Sequence, residues 1–378
     1  MKKHLIAAAV AGAFAVPAMA QVTIGGTLIY DLMSTQEVKD QTGTAAATTL
    51  KDTQTGFTSS RNWTASQLQF SATEDLGGGL KVSAVTTVDL RGEGTTGFTR
   101  DQNLALSGGF GTVRLGKFIP ASAMAFHGFS GAGSTTVGSF YGLGVGTAQT
   151  ATALATGVYV TTAASTTTGT LVGGSFERNS NLIQYTSPNL SGLTVNVSMG
   201  QNTNDTTATA SKTETKQQGI SVGYAAGPLS AGVGTNTRDI KAENAAGSEA
   251  ELTWIGASYD LGVARVSATQ VMREGSSVPL TGAKVKADDF TITGIGVTVP
   301  MGAMTFAVSM YDGENKASAA TTDNLDLSGY QASVRYALSK RTTVYALIGE
   351  NEIKRASGNT TGTARTVSGN MIGLMHTF

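Results

Sequence analysis

The chain has no cysteine, so it can form no disulfide framework and offers no thiolate nucleophile. Histidine is nearly as scarce: of three in 378 residues, His4 falls in the first twenty, leaving His127 and His376. Neither stands in a nucleophile, base and orienter arrangement, and no His/Cys spacing suits a metal. No phosphate-binding glycine loop precedes a helical pattern. Catalytic residues, a bound metal and a cofactor are therefore all expected to be absent. Also missing, after residue 20, is any run of about eighteen apolar residues, which excludes a helical membrane span. Finally, a long stretch lacks charge altogether: from Phe118 to Phe176 there are 59 residues with no Lys, Arg, Asp or Glu, bounded by Lys117 and by Glu177-Arg178. A structureless connection of this length is foreign to a compact domain unless it has a task of its own.

The first twenty residues form the pattern of a secretory leader. Lys2 and Lys3 precede an apolar core from Leu5 to Val16, and Ala18-Met19-Ala20 supplies small residues for cleavage. The domain organisation is thus a signal peptide over 1–20 and a single domain over 21–378. Without the two leader lysines the 26 basic residues fall to 24, against 26 acidic ones. That near-neutral balance gives no electrostatic footprint for nucleic acid.

From Gln21 onward the hydrophobic period is two. Val22, Ile24, Leu28, Tyr30 and Leu32 alternate with Thr23, Gly25, Thr27 and Asp31, as a strand with one apolar and one polar face requires. The pattern returns at Leu193 to Gly200, Met304 to Met310 and Tyr330 to Leu338. The 48 glycines, with abundant Thr and Ser, suit strands and turns better than helices. Short turns are expected at 75–79, 107–111, 187–192, 226–228, 260–262, 300–302 and 339–340. Longer polar segments lie near 33–61, 92–97, 118–177, 202–215, 240–249, 274–285, 313–325 and 354–365. Seven short and eight long connections join sixteen strands.

Alternation alone also describes a soluble sandwich. A sandwich needs no systematic short and long punctuation, however, whereas a barrel in lipid turns its apolar face outward and must close so that no edge is unpaired. The last strand runs to the final residue with Ile372, Leu374, His376 and Phe378 on one face. The reading is an all-β transmembrane antiparallel β-barrel of 16 strands, with the long third loop folded inward. His376 reads as a residue of the closing strand.

Particular residues carry a family resemblance. Glu74-Asp75-Leu76-Gly77-Gly78-Gly79-Leu80-Lys81 at the first short turn resembles the general diffusion porins of Gram-negative bacteria, in particular their beta-proteobacterial branch. Matches continue in order: Phe98-Thr99-Arg100, Leu106 to Lys117, Asn181 through Tyr185 to Ser187-Pro188, Leu338 to Thr342 with Tyr345-Ala346, and Gly373-Leu374 with His376 and Phe378. The resemblance implies a homotrimer of sixteen-stranded barrels in the outer membrane, in contact with lipid and lipopolysaccharide. It further implies a third loop that narrows the pore, with basic residues on the opposite wall, and several members of the branch are anion-selective.

Carried over residue by residue, Arg100 matches the family's arginine before the fourth strand and Arg178 the one after the third loop. Where relatives have Ser-Arg, this chain has Ser66-Gln67, and Lys117 stands where relatives commonly carry Arg, which keeps the charge but loses the planar fork. By alternation Gln67, with Gln69 and Ser71, faces inward. Lys117 shares parity with Val113 and Leu115 and would face outward unless a bulge or the strand end intervenes. Arg265 and Arg335 are further inward candidates. Because the loop brings no carboxylates, any of Arg100, Lys117 and Arg178 that reaches the lumen is expected to act as an uncompensated cation. The sequence therefore reads as a passive channel for small hydrophilic solutes and ions, with a modest anion preference instead of a phosphate-specific site. The alternatives are a substrate-specific channel, to which the excess loop length points, and a non-conducting adhesin or structural barrel.

Overall fold

The computed structural model of the chain describes residues 21–42, 48–58, 66–90, 97, 98, 100–129, 178–206, 211–316, 325–355 and 362–378. The expected leader, 1–20, and most of the expected third loop, 130–177, lie outside the described residues. The strands in order are β1 (Gln21–Thr42), β2 (Thr48–Thr58), β3 (Gln67–Gly77), β4 (Leu80–Asp89), β5 (Gln102–Gly108), β6 (Gly111–Phe118), β7 (Asn179–Thr186), β8 (Leu193–Thr206) and β9 (Ser211–Ala226). They continue as β10 (Leu229–Ala242), β11 (Gly247–Asp260), β12 (Arg265–Val278), β13 (Val285–Met301), β14 (Met304–Asn315), β15 (Leu325–Ala337), β16 (Thr342–Arg355) and β17 (Gly362–Thr377).

From β3 onward each strand pairs antiparallel with its sequence neighbours, β2 and β3 both pair with β1, and β1 also pairs with β17, so the sheet closes. β2 and β3 are two pieces of one wall strand. Asp31 to Gln41 of β1 pairs with β2, and Gln21 to Thr27 pairs with β3, which leaves sixteen strands around the wall. Between the pieces the Ser66 hydroxyl accepts from the Ile29 amide (2.9 Å) and donates to the Ile29 carbonyl (3.2 Å). Ser66 thereby satisfies both backbone groups of Ile29 between the two ladders. At the seam Phe378 exchanges two backbone hydrogen bonds with Gly26, at 3.0 and 3.1 Å, so the ladder extends to the last residue.

Burial is inverted relative to a water-soluble sheet. Val22, Ile24, Tyr30, Met199, Ile255, Val308, Ile348 and Ile372 are among many large apolar side chains exposed on the outside. Asp31, Thr87, Gln184, Ser198, Gln217, Asn236, Thr269 and Gln331 are buried on the opposite parity. Hydrocarbon accepts the first set at no cost, and a closed ladder leaves no backbone group for it to desolvate. An aromatic is frequent near the short-turn rim: Tyr185, Tyr224, Tyr259 and Tyr336 are all exposed there, as expected at a membrane interface.

The seven short turns fall where the sequence places them. Gly77, Gly78 and Gly79, for example, take φ of 79°, 61° and 82°, values that other residues rarely adopt, while the Asp75 carboxylate accepts from the Gly77 amide at 2.9 Å. Several of the long connections are shorter than expected, although the one expected at 92–97 spans the whole interval between Asp89 and Gln102. Residues 33–42 and 48–58 are paired strand, as at Glu37↔Asp52 and Gln41↔Thr48, and 202–206 pairs with 211–215. Past the apolar band both faces of a strand meet water, so the hydrophobic alternation stops while the hydrogen-bond ladder continues.

Candidate pore site

The long uncharged segment leaves the wall at the end of β6. Its described opening, through Phe129, lies against the inner surface as a short helix, α1 (Ala121–Met124), followed by a 3-10 turn over Ala125–Phe129. Pro120 precedes α1 with φ −66°, a value its ring fixes in advance. Ser122 is the node of this contact. Its hydroxyl accepts from the Asn236 side-chain amide at 2.8 Å and lies 3.3 Å from the Ser198 hydroxyl, while its carbonyl accepts from the Trp254 indole at 2.6 Å. Gln184 accepts from the Ala121 amide at 2.9 Å, and Gln217 donates to Asn236 at 3.0 Å. Further along, Arg265 donates to the Gly128 carbonyl at 3.2 Å and to Ser258 at 2.7 Å.

Glycines on the inner face make this approach possible. A Cβ on Gly219 would overlap Ser122 and Asn236, one on Gly234 would come within 2.7 to 2.8 Å of the Trp254 indole, and one on Gly256 would meet Phe129. Trp254 is buried to 1%, with the Phe129 ring 6.2 Å away. Sequence reasoning passed over Trp254, although it sits at a polar-face position of β11 with Gly232 and Gly234 on the same face of the neighbouring strand. A large ring facing two glycines was the available signal.

The six positions singled out in the sequence do not form one cluster. Gln67 pairs across the sheet with Thr27 and Asp89. Asp89 is 1% exposed and faces Arg100, whose guanidinium lies 3.8 Å from it. Arg178 hydrogen-bonds Asp101 through its Nε. Both arginines thus meet carboxylates of the adjoining wall. This corrects the expectation of uncompensated cations: the loop brings no acid, but the approaches to β5 do. Lys117 is the exception. Gly116, at φ 128°, and a register shift between Gly116 and Phe118 interrupt β6, and this bulge removes Lys117 from the outward parity of Val113 and Leu115. Lys117 has no hydrogen-bond or ion-pair partner among the described residues.

Arg265 serves the loop contact near the short-turn end, and Arg335 stands on the polar parity of β15 opposite Tyr345. Three more basic residues share the inner parity and were not singled out. Arg114 lies over the Phe118 ring at 5.2 Å, Arg238 pairs across the sheet with Gln217, and Arg273 is opposite the buried Leu252. Each could have been found by counting from the alternation. Among the described residues no group of three or more His, Cys, Asp or Glu side chains converges on a metal position.

A closed sheet with an apolar exterior and a polar, arginine-bearing interior defines a β-barrel pore of an outer membrane. The chain belongs to the Gram-negative porin family, whose match runs over residues 7–356. It is accordingly a passive channel protein of the Gram-negative outer membrane. It is 29% identical over 366 residues to outer membrane porin protein 32 of Delftia acidovorans, covering 94% of this chain and 91% of that protein. In fold it is similar to an anion-selective porin from Comamonas acidovorans, with a TM-score of 0.64 and 22% identity over 95% of this chain and all of that one. It also resembles the trimer form of OmpT from Vibrio cholerae, with a TM-score of 0.60 and 14% identity over 95% and 99% of the two chains.

Proposed function

We propose that this porin passes small hydrophilic solutes down their gradients with a modest preference for anions, set by basic side chains on the inner wall near the third loop. The observation that carries the reading is the composition of that loop: 59 residues without a carboxylate leave from a wall that presents Lys117, Arg178 and Arg238. Ion selectivity follows the sign of charge at the narrow part of a wet pore. Asp89 and Asp101 offset part of the charge of Arg100 and Arg178, and Gln67 replaces an expected arginine, so the preference is modest. The Delftia and Comamonas relatives support this reading. The trimeric OmpT structure supports a homotrimer, seated among outer-membrane lipid and lipopolysaccharide.

A salt gradient across a planar bilayer tests it. The reversal potential is expected on the anion side, and Arg178→Glu, which replaces a cation beside Asp101 with a second carboxylate, is expected to move it toward cations. An unchanged potential would remove Arg178 from the selective part of the pore. The length of the loop favours a second reading, a substrate-specific channel. Block of the ion current by one class of solute distinguishes it from indifference to all of them.

A further inference from the structure

The outer surface of the wall is not evenly covered by large side chains. A groove of about 580 Å³ crosses β9 to β13 on the lipid-facing side. Its floor is one row of the sheet register: Tyr224 stands opposite Ala231, Ala231 opposite Ala257, Ala257 opposite Ala268, and Ala268 opposite Ile295. Three methyl groups in succession leave a trough because the neighbouring rows are taller. Val222, Val233 and Ile255 stand along one side of it, and Leu229, Tyr259 and Val266 along the other. Four strand spacings of about 4.8 Å give the trough a length of about 19 Å.

The trough runs obliquely to the membrane. Tyr224 lies two residues from the end of β9 at its short turn, whereas Ile295 lies six residues from the corresponding end of β13. The row therefore climbs from the short-turn rim, the periplasmic side of an outer-membrane barrel, into the apolar band. At its low end the exposed Tyr224 and Tyr259 place their hydroxyls at the interface, where they can donate to ester and phosphate oxygens. Beside its high end the Gln270 amide donates to the Thr293 hydroxyl at 3.0 Å. Farther toward the long connections, on the same outer face, Glu249, Glu251, Glu274 and Asp289 outnumber Lys284 and Lys286, which pair with three of them.

Lipid chains are as apolar as the wall, so what holds one chain at one place is the number of atoms it touches. A chain lying on a row of large side chains is met on one side. A chain in the trough is met on three, by the alanine floor and by both banks. We propose that the trough retains one acyl chain of an inner-leaflet phospholipid, whose head group sits at the Tyr224 and Tyr259 rim and whose chain rises across β10, β11 and β12. The trough is continuous with the apolar exterior that meets lipid, and its shape sets it apart from the rest of that surface. The excess of acid above it disfavours the phosphorylated saccharide of lipopolysaccharide, whose chains would enter from that side. A second copy of the barrel fits poorly, since two concave faces brought together across a two-fold axis leave a void. The inference is independent of the ion selectivity of the pore.

The test folds the full-length protein into phospholipid vesicles that contain a small fraction of phosphatidylethanolamine with a photoreactive diazirine midway along one chain. After irradiation, mass spectrometry of peptides locates the labelled residues. Label on β10 to β12 is expected to exceed that on the outer face of β14, around Val308 and Met310, severalfold, and to saturate at a low fraction of probe. Ala257→Phe and Ala268→Phe, which fill the trough from outside the barrel, should bring it down to the β14 level. Heat-modifiable gel mobility verifies that each variant forms a barrel. Even labelling of the wild-type wall, or trough labelling that survives both substitutions, overturns the proposal. Preferential labelling of the trough by lipid A bearing the same reactive group, in vesicles that hold both lipids, also overturns it and assigns the trough to lipopolysaccharide. Loss of trough label to cross-links between barrels through β10 to β12, as protein density rises, overturns it in favour of a second copy.

Discussion

At the scale of single residues, the site depends on groups that fix the start of the third loop more than on groups that touch solute. Ser122 binds Asn236, Trp254 and Ser198 at once, so the helix after Pro120 is held to three strands of the wall. Trp254→Phe keeps the ring against Phe129 but removes the indole donor and leaves the Ser122 carbonyl short of a partner. Its expected cost is about 1–3 kcal/mol, the penalty for an unsatisfied buried group. Because the contacts of Gln184 with Ala121, Asn236 with Ser122 and Arg265 with Gly128 remain, the variant is expected to insert and conduct normally on average while showing more current noise and gating at lower voltage. Single-channel recordings check this, and a quiet channel with unchanged gating would mean that the loop is held elsewhere. This anchor was hidden in the sequence for a physical reason. A tryptophan on the polar face reads as an exception to alternation until the glycines of the neighbouring strand are placed opposite it. Lys117 shows the converse: counting by twos put it outside, and only a single glycine with positive φ turns it inward.

At the scale of elements, alternation was a faithful guide wherever the two faces of a strand meet different solvents. Val308 and Met310 of β14 are exposed to lipid, while Ala307 and Ser309, which alternate with them, are buried, as the sequence led one to expect. Beyond the lipid that contrast ends, which is why the strand ends at 33–42 and 48–58 were read as loop. The boundary can be measured on one face of β14. Val308→Arg places a charge in the apolar band and is expected to cost ~2–4 kcal/mol of unfolding free energy in lipid vesicles, whereas Asp312→Arg, nearer the rim on the same face, should cost ~0–1 kcal/mol. Equal costs would mean that the band reaches Asp312 or stops short of Val308. The seam is the element that alternation could not foresee. There Tyr345 of β16 reaches across Gly373 of β17 to hydrogen-bond Asp31 of β1, in a gap that any side chain at 373 would fill.

At the scale of the whole molecule, two electrostatic accounts make opposite statements. The chain has 26 basic and 26 acidic residues, so its overall charge favours neither ion, and removal of the leader lysines would leave a slight excess of acid. Selectivity governed by total charge should therefore be absent or weakly cationic. Selectivity governed by placement should be anionic, because the long loop has no acid and the inner wall beside it presents Lys117, Arg178 and Arg238. Salt concentration separates placement from contact. The Debye length falls from about 30 Å at 0.01 M to about 10 Å at 0.1 M and about 3 Å at 1 M. A field reaching across an open lumen is screened over that range, while direct pairing with Lys117 or Arg178 survives to higher salt. The anion-side reversal potential at a fixed concentration ratio is thus expected to shrink strongly as mean salt rises from 0.01 to 1 M. Most of its decline should occur once the screening length drops below the width of the lumen. Chloride selectivity that stays constant across the whole range would place its origin in direct contacts and not in the field of the wall.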